Sequence, residues 1–184
     1  NGDDANVFGL EPNYGCCTAN MHQGWPKFVS SLWMATNEGG LAAIAYGPSE
    51  VTAQVADGVM VTVCEETDYP FNEEIFFTVT PQQPVKFPLM LRIPGWAQGA
   101  KITLPEDEQI DATPGIFCRI EREWQAGDRV VLKVPMQVET QRRYHDAIAI
   151  LRGPLVFSMP IGERWEIIGR EPPAADYAIY PETP

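Results

Sequence analysis

Cys16 and Cys17 stand side by side in Tyr14-Gly15-Cys16-Cys17-Thr18-Ala19-Asn20, just ahead of a stretch with the apolar spacing of an amphipathic helix. A thiolate is stabilised by the positive end of a helix and by a bound metal, so a cysteine pair at such a place can act as nucleophile or metal ligand. The competing reading is packing, because free cysteine is among the most buried residue types. A vicinal disulfide is disfavoured, since neighbouring residues can bridge only through a strained ring.

Other residues with chemical potential are more isolated. His22 opens the helical stretch, where a lone imidazole is more often a surface or packing group than a ligand. Glu11, five residues before Cys16, is the nearest upstream carboxylate and reads as a solvated loop residue. Cys64 and Cys118 fall in alternating patterns that read as core packing. Trp25 and Trp33 lie in the helical stretch, whereas Trp96, Trp124 and Trp165 fall among strands; packing outweighs sugar stacking for all five. Arg92 and Arg152, embedded in apolar strands, are expected to satisfy internal carboxylates or backbone carbonyls.

The elements that position these groups follow from periodicity. Residues 1–15 have the Gly, Asp, Asn and Pro content of a loop, which delivers the cysteine pair. Met21, Trp25, Phe28, Val29, Leu32 and Trp33 recur at helical steps, which predicts one helix near Asn20 to Thr36, kinked at Pro26 or restarted with Pro26 in its first turn. After Gly39-Gly40 the period becomes two. Runs at 41–46, 51–55, 59–65, 74–80, 85–93, 100–104, 116–121, 129–134, 137–144, 147–151 and 155–159 carry β-branched or aromatic residues between turn signals. These strands, without helices of crossover length between them, predict a mainly β, antiparallel sandwich of jelly-roll type. The segment 170–184 is Pro-rich, with no terminating element expected.

Composition narrows the partners. A chain of 184 residues can bury a sizeable core, and its four cysteines are too few and too unevenly spaced for a disulfide framework. A formal net charge of −12 argues against nucleic acid and anionic membranes, both polyanions, and leaves neutral glycans compatible. The opening Asn1-Gly2-Asp3-Asp4 has neither an initiator Met nor a signal peptide, so the chain is expected to be an internal fragment of a longer protein.

Four further stretches carry recognisable wording: Leu91-Arg92-Ile93-Pro94-Gly95-Trp96-Ala97, Arg122-Glu123-Trp124 followed by Gly127-Asp128, Val134-Pro135-Met136, and Leu151-Arg152-Gly153-Pro154-Leu155-Val156. With the cysteine pair, and in this order over residues 8–180, they resemble the β-L-arabinofuranosidases of glycoside hydrolase family 127 and their bacterial relatives. The resemblance implies a parent enzyme whose (α/α)6 helical barrel carries the active site and is followed by a β-sandwich. Residues 1–38 would then be the terminal barrel segment, 39–169 the sandwich, and 170–184 a tail continuing into the parent. It further implies that Cys16 is both catalytic nucleophile and zinc ligand, and that Cys17 is a second zinc ligand. A Glu and a third Cys that complete the zinc site, and the acid/base Glu, would come from upstream barrel segments absent from this sequence. The partners implied are a carbohydrate substrate, the missing helical barrel and, as a further possibility, a second copy of the chain in a homodimer. The competing function is a non-catalytic carbohydrate-binding or scaffolding module, whose sign would be an exposed line of Trp or Tyr on one sheet. A vicinal-dithiol metal or redox protein comes third, for want of further ligands nearby.

Overall fold

The computed structural model describes residues 22–170 and 175–182. They fall into two compact units, one of Trp25–Phe157 and one that includes 158–170 and 175–182. In chain order the first unit contains a short helix, α1 (Gly24–Val29, whose first residue lies just outside the unit), and then β1 (Trp33–Ala35), β2 (Leu41–Ala43), β3 (Ser49–Gln54), β4 (Met60–Thr67), β5 (Glu74–Pro81) and β6 (Val85–Arg92). It continues with β7 (Lys101–Thr103), β8 (Gln109–Asp111), β9 (Phe117–Trp124), β10 (Asp128–Lys133), β11 (Val138–Arg142), β12 (Ile148–Arg152) and β13 (Leu155–Phe157).

A four-stranded sheet in the order β1-β2-β6-β9 and a six-stranded sheet in the order β3-β4-β5-β10-β7-β8 form the sandwich. Strand alternation supplies the core. Val61 and Val63 of β4, Ile75, Phe77 and Val79 of β5, and Val130 and Leu132 of β10 are buried from one sheet, and Val85, Phe87, Leu89 and Leu91 of β6 from the other. Burying a side chain of this size stabilises the fold by about 1.5–3 kcal/mol. Trp33 of β1 meets Phe77 of β5 edge-on at 5.9 Å, which joins the two sheets. Trp124 is fully buried against Phe87, and its Nε1–H donates to the Phe87 carbonyl at 3.0 Å, so the indole leaves no polar group unsatisfied.

The strand order departs from pure antiparallel pairing at one place. β2 and β6 run parallel, with Leu41 opposite Leu89 and Ala43 opposite Leu91, because the chain crosses to the other sheet for β3, β4 and β5 before returning. The close approach that begins this pairing requires Gly40, where a Cβ would lie 2.1 Å from the Pro88 carbonyl oxygen.

The single long helix expected over 20–36 is not formed: α1 has six residues, and Trp33 belongs to a strand. Pro26 sits in the first turn, where its missing N–H costs nothing. The hydroxyl of Ser30 then donates to the Lys27 carbonyl, and the Leu32 carbonyl accepts from Ile44 N–H at 2.8 Å, drawing the chain into the sheet. The apolar stripe is thereby divided, with Trp25, Phe28 and Val29 exposed and Leu32 buried. Strands β1 and β8, three residues each, were too short to leave a periodic signal.

β11, β12 and β13 make a separate three-stranded antiparallel sheet. It is tied to the sandwich through Glu73, whose Oε1 accepts from Arg152 Nη2 at 3.1 Å and from Met136 N–H at 3.0 Å. In the second unit β14 (Glu163–Ile167) and β15 (Tyr177–Pro181) form a hairpin, so the segment 170–184 does contain a strand. Tyr177 and Ile179 alternate there opposite Ile167 and Trp165. Among the described residues no helix is long and apolar enough to cross a membrane.

Glu65 is 1 % exposed, because on β4 it occupies the inward row begun by Val61 and Val63. Its Oε1 accepts from Gly47 N–H at 2.9 Å and its Oε2 lies 3.3 Å from Ser49 Oγ, which itself accepts from Trp33 Nε1–H at 3.1 Å. Burial pushes the carboxyl up to about 7, and the two hydrogen bonds only partly oppose that. Between about 4.5 and about 7 the folded chain therefore holds a proton that the unfolded chain has lost. Stability is expected to fall as pH rises through that window, by on the order of 3 kcal/mol, and to stay at the lower level above it. Glu65→Gln keeps the hydrogen-bonding shape without the titration, so urea unfolding at pH 5 and pH 8 should show that this share of the pH dependence has vanished. For the Glu73 tie, a double-mutant cycle with Glu73→Gln and Arg152→Met is expected to return a coupling of about 1 kcal/mol. Hydrogen exchange should quicken in β11, β12 and β13 before it does in β5 or β6.

Candidate functional site

Cys16, Cys17 and Glu11 lie outside the described residues. The described chain begins at His22, five residues after Cys17, with an exposed imidazole in the turn that leads into α1. Eleven residues further on, Trp33 fixes the chain to the sandwich by its ring contact with Phe77 and its hydrogen bond to Ser49. The segment that carries the cysteine pair is thus followed by a firmly held strand.

The other two cysteines are free, and they differ in placement. Cys118 packs against the core as expected, and burial pushes its thiol up. Cys64 does not, because β4 alternates Val61, Val63 and Glu65 inward and leaves Cys64 on the opposite row with Thr62 and Glu66. Its thiol is pushed up by desolvation and then by the neighbouring carboxylates of Glu66, Glu50 and Glu65. Both thiols are therefore protonated at neutral pH and poorly suited to act as nucleophile or ligand. Among the described residues no group of three or more His, Cys, Asp or Glu side chains could hold a metal ion.

The two arginines behave as expected. Arg92 donates from Nε to the Ile44 carbonyl, and its own carbonyl accepts from the Tyr46 hydroxyl at 2.6 Å. Arg152 pairs with Glu73. Tyr46 stacks edge-on to Tyr69 at 5.9 Å, and burial raises both phenols, so this cluster is a structural clasp at neutral pH.

The tryptophans form no line on either sandwich sheet: Trp124 is buried, Trp33 and Trp96 are half-buried, and Trp25 and Trp165 are exposed outside those sheets. Trp96 lines a cavity of about 110 Å³ with Gln137 and Leu151. Glu65 escaped the sequence reading, although its place two residues after Val63 marked it as inward-facing.

Comparison with known proteins places this geometry. A family described as the β-L-arabinofuranosidase GH127 middle domain matches residues 40–136, the segment that builds the sandwich. A crystal structure of a GH127 β-L-arabinofuranosidase from Geobacillus stearothermophilus T6 is 24% identical, with a TM-score of 0.68, over 90% of this chain and 34% of that one. A GH127 β-arabinofuranosidase of known structure is 18% identical, with a TM-score of 0.71, over 95% of this chain and 33% of its own. A third structure, described as a glycoside hydrolase, is 23% identical with a TM-score of 0.65, over 85% of this chain and 28% of that one. At these identities the likeness shows the fold, and the chain spans about a third of the length of the structures it matches. A search of curated proteins returned no match. The family match covers more than half of the sequence, and the chain accordingly belongs to the β-L-arabinofuranosidase family GH127, with its sandwich as that family's middle domain.

Proposed function

We propose that this chain is part of a retaining, zinc-dependent glycoside hydrolase that acts on β-L-arabinofuranosides of plant-type glycans, with Cys16 as its nucleophile. The observation that carries the reading is the family match over 40–136 with the cysteine pair a short distance ahead of it. Residues 1–38, apart from β1, which pairs within the sandwich, are read as the end of a catalytic helical barrel, and the rest of that barrel as the partner that completes the site.

The donor chemistry fits zinc in part. Two adjacent thiols are soft ligands of the type that zinc prefers, and they supply half of a tetrahedral set. The described residues add no metal-holding cluster, and the Cys64 and Cys118 thiols are held protonated, so the remaining ligands are assigned to the upstream barrel. Zinc, when bound, would keep the thiols ionised at neutral pH and fix their direction.

In this reading Cys16 Sγ attacks the anomeric carbon and displaces the aglycone oxygen, which takes its proton from a carboxylic acid of the barrel. Water deprotonated by the same carboxylate then displaces the sulfur, which returns to its thiolate form with overall retention. Cys17 would be a zinc ligand only and form no bond to sugar. The middle domain's part is mechanical: β1, clamped through Trp33 to Ser49 and Phe77, anchors the segment downstream of the pair.

In the full-length parent, Cys16→Ser is expected to lower turnover by several orders of magnitude, whereas Cys17→Ser should first weaken zinc retention. Trapping with an arabinofuranose-like electrophile followed by peptide mapping should place the label on Cys16. Labelling of Cys17, or full activity of Cys16→Ser, would overturn the assignment. The 184-residue chain alone should neither hydrolyse aryl L-arabinofuranosides nor retain stoichiometric zinc through dialysis.

A further inference from the structure

A cavity of about 110 Å³ opens on the sheet of β11, β12 and β13, where the loop that follows β6 meets it. Its wall is Trp96. The loop holds that ring in place: Ile93 and Ala97 are 1 % and 0 % exposed, and Ala97 N–H donates to the Pro94 carbonyl at 3.0 Å. The floor is Leu151 of β12 and the bare backbone of Gly153. A Cβ on Gly153 would lie 3.2 Å from the Trp96 ring, so the glycine lets the indole come down onto the end of β12.

The polar side of the cavity is one row of β11. Strand alternation puts Glu139 and Gln141 on the same face, opposite Leu151 and Ala149 of β12, and Gln137, one residue ahead of the strand, continues the row. Neighbours in such a row are about 6.8 Å apart, so each can meet a different edge of one small ligand. Gln141 Oε1 accepts from Arg143 Nη2 at 2.6 Å, which leaves its NH2 group to donate. An aromatic wall and an aliphatic floor thus face two amides and a carboxylate, and Glu139 is the single charge among the lining residues.

We propose that this cavity is a non-catalytic subsite for one neutral sugar ring, with the C–H face of the ring against Trp96 and its hydroxyls on Gln137, Glu139 and Gln141. A hydroxyl both donates and accepts, so neighbouring hydroxyls can donate to Glu139 while accepting from an amide, and an aromatic surface with a few placed polar groups is the usual make-up of a small-ligand site. Size sets the limit. At roughly 30 Å³ per water the cavity holds about four waters, which is the bulk of one pentose ring and less than that of a glycan chain. A carboxylate with no cation in the lining turns anionic sugars away, and one carboxylate is too little for a metal ion. The choice of sugar over other polyols rests on the glycosidase reading above.

Methyl β-L-arabinofuranoside is the probe, titrated into the 184-residue chain while amide chemical shifts are followed, with galacturonate as the anionic comparison and glycerol as the simple polyol. For a ligand of this size a Kd on the order of 1 mM is expected, with shifts confined to β11, β12 and the loop around Trp96, and with galacturonate and glycerol bound roughly tenfold more weakly or not at all. Gln137→Ala and Glu139→Ala replace exposed side chains and should each weaken binding about three- to tenfold while thermal stability is unchanged. Trp96→Leu should abolish binding, and since Trp96 also packs against the core, the two exposed-residue variants carry the test if that variant does not fold. No saturable shift at about ten times the expected Kd, shifts centred elsewhere, equal binding of galacturonate or glycerol, or undiminished binding by both Gln137→Ala and Glu139→Ala would each overturn the proposal. The readout is binding, not hydrolysis, so its failure leaves the Cys16 assignment standing, and an inactive parent enzyme leaves the subsite standing.

Discussion

Residues on a strand that face the opposing sheet must give up water together, and every feature of this sandwich answers to that requirement. Where the row is apolar, as in Ile75, Phe77 and Val79 of β5, desolvation drives folding and the side chains fill the space between sheets. Where the row meets a polar residue, the chain must provide a partner or keep the group neutral. Glu65 illustrates both answers: it receives Gly47 N–H and Ser49, and burial still lifts its carboxyl to about 7. Trp124 is satisfied by one carbonyl, and Arg122 Nε is left without a partner among the described residues.

That constraint also explains how β1 becomes fixed in the sandwich. Trp33 spans the two sheets, touching Phe77 with its ring and Ser49 with its indole N–H, and Ser49 leads on to Glu65. A chain leaving β1 toward the cysteine pair starts from a strand whose position is set by contacts with both sheets.

The periphery is held differently. The sheet of β11, β12 and β13 depends on the half-buried pair of Glu73 and Arg152 and on the backbone amide of Met136. Gly153 adds a steric condition: its φ is +57°, and a Cβ there would lie 2.7 Å from Met136 Sδ. Close backbone approach and a charge-assisted bond do here what apolar burial does in the sandwich.

Alternation alone was enough to read the sandwich, its long strands and the inward rows of β5 and β6, because a period of two is a local property that burial enforces on each strand. Arg92 and Arg152 were legible for the same reason, as cations in apolar strands that had to find internal acceptors. The helix was misread because Trp25, Phe28, Leu32 and Trp33 have helical spacing, yet Leu32 and Trp33 are claimed by long-range partners, Ile44 and Phe77, which no local pattern reveals. The sequence placed Cys64 in the core and passed over Glu65, since deciding which parity faces inward needs the opposing sheet. Arg122 likewise looked like one charge among many in Arg122-Glu123-Trp124, until the pairing of β9 with β6 set it opposite Phe87. The wording of the cysteine pair and its companion motifs sufficed for the family; only the packing of two sheets could decide which polar groups lie between them, because burial depends on residues distant in the chain.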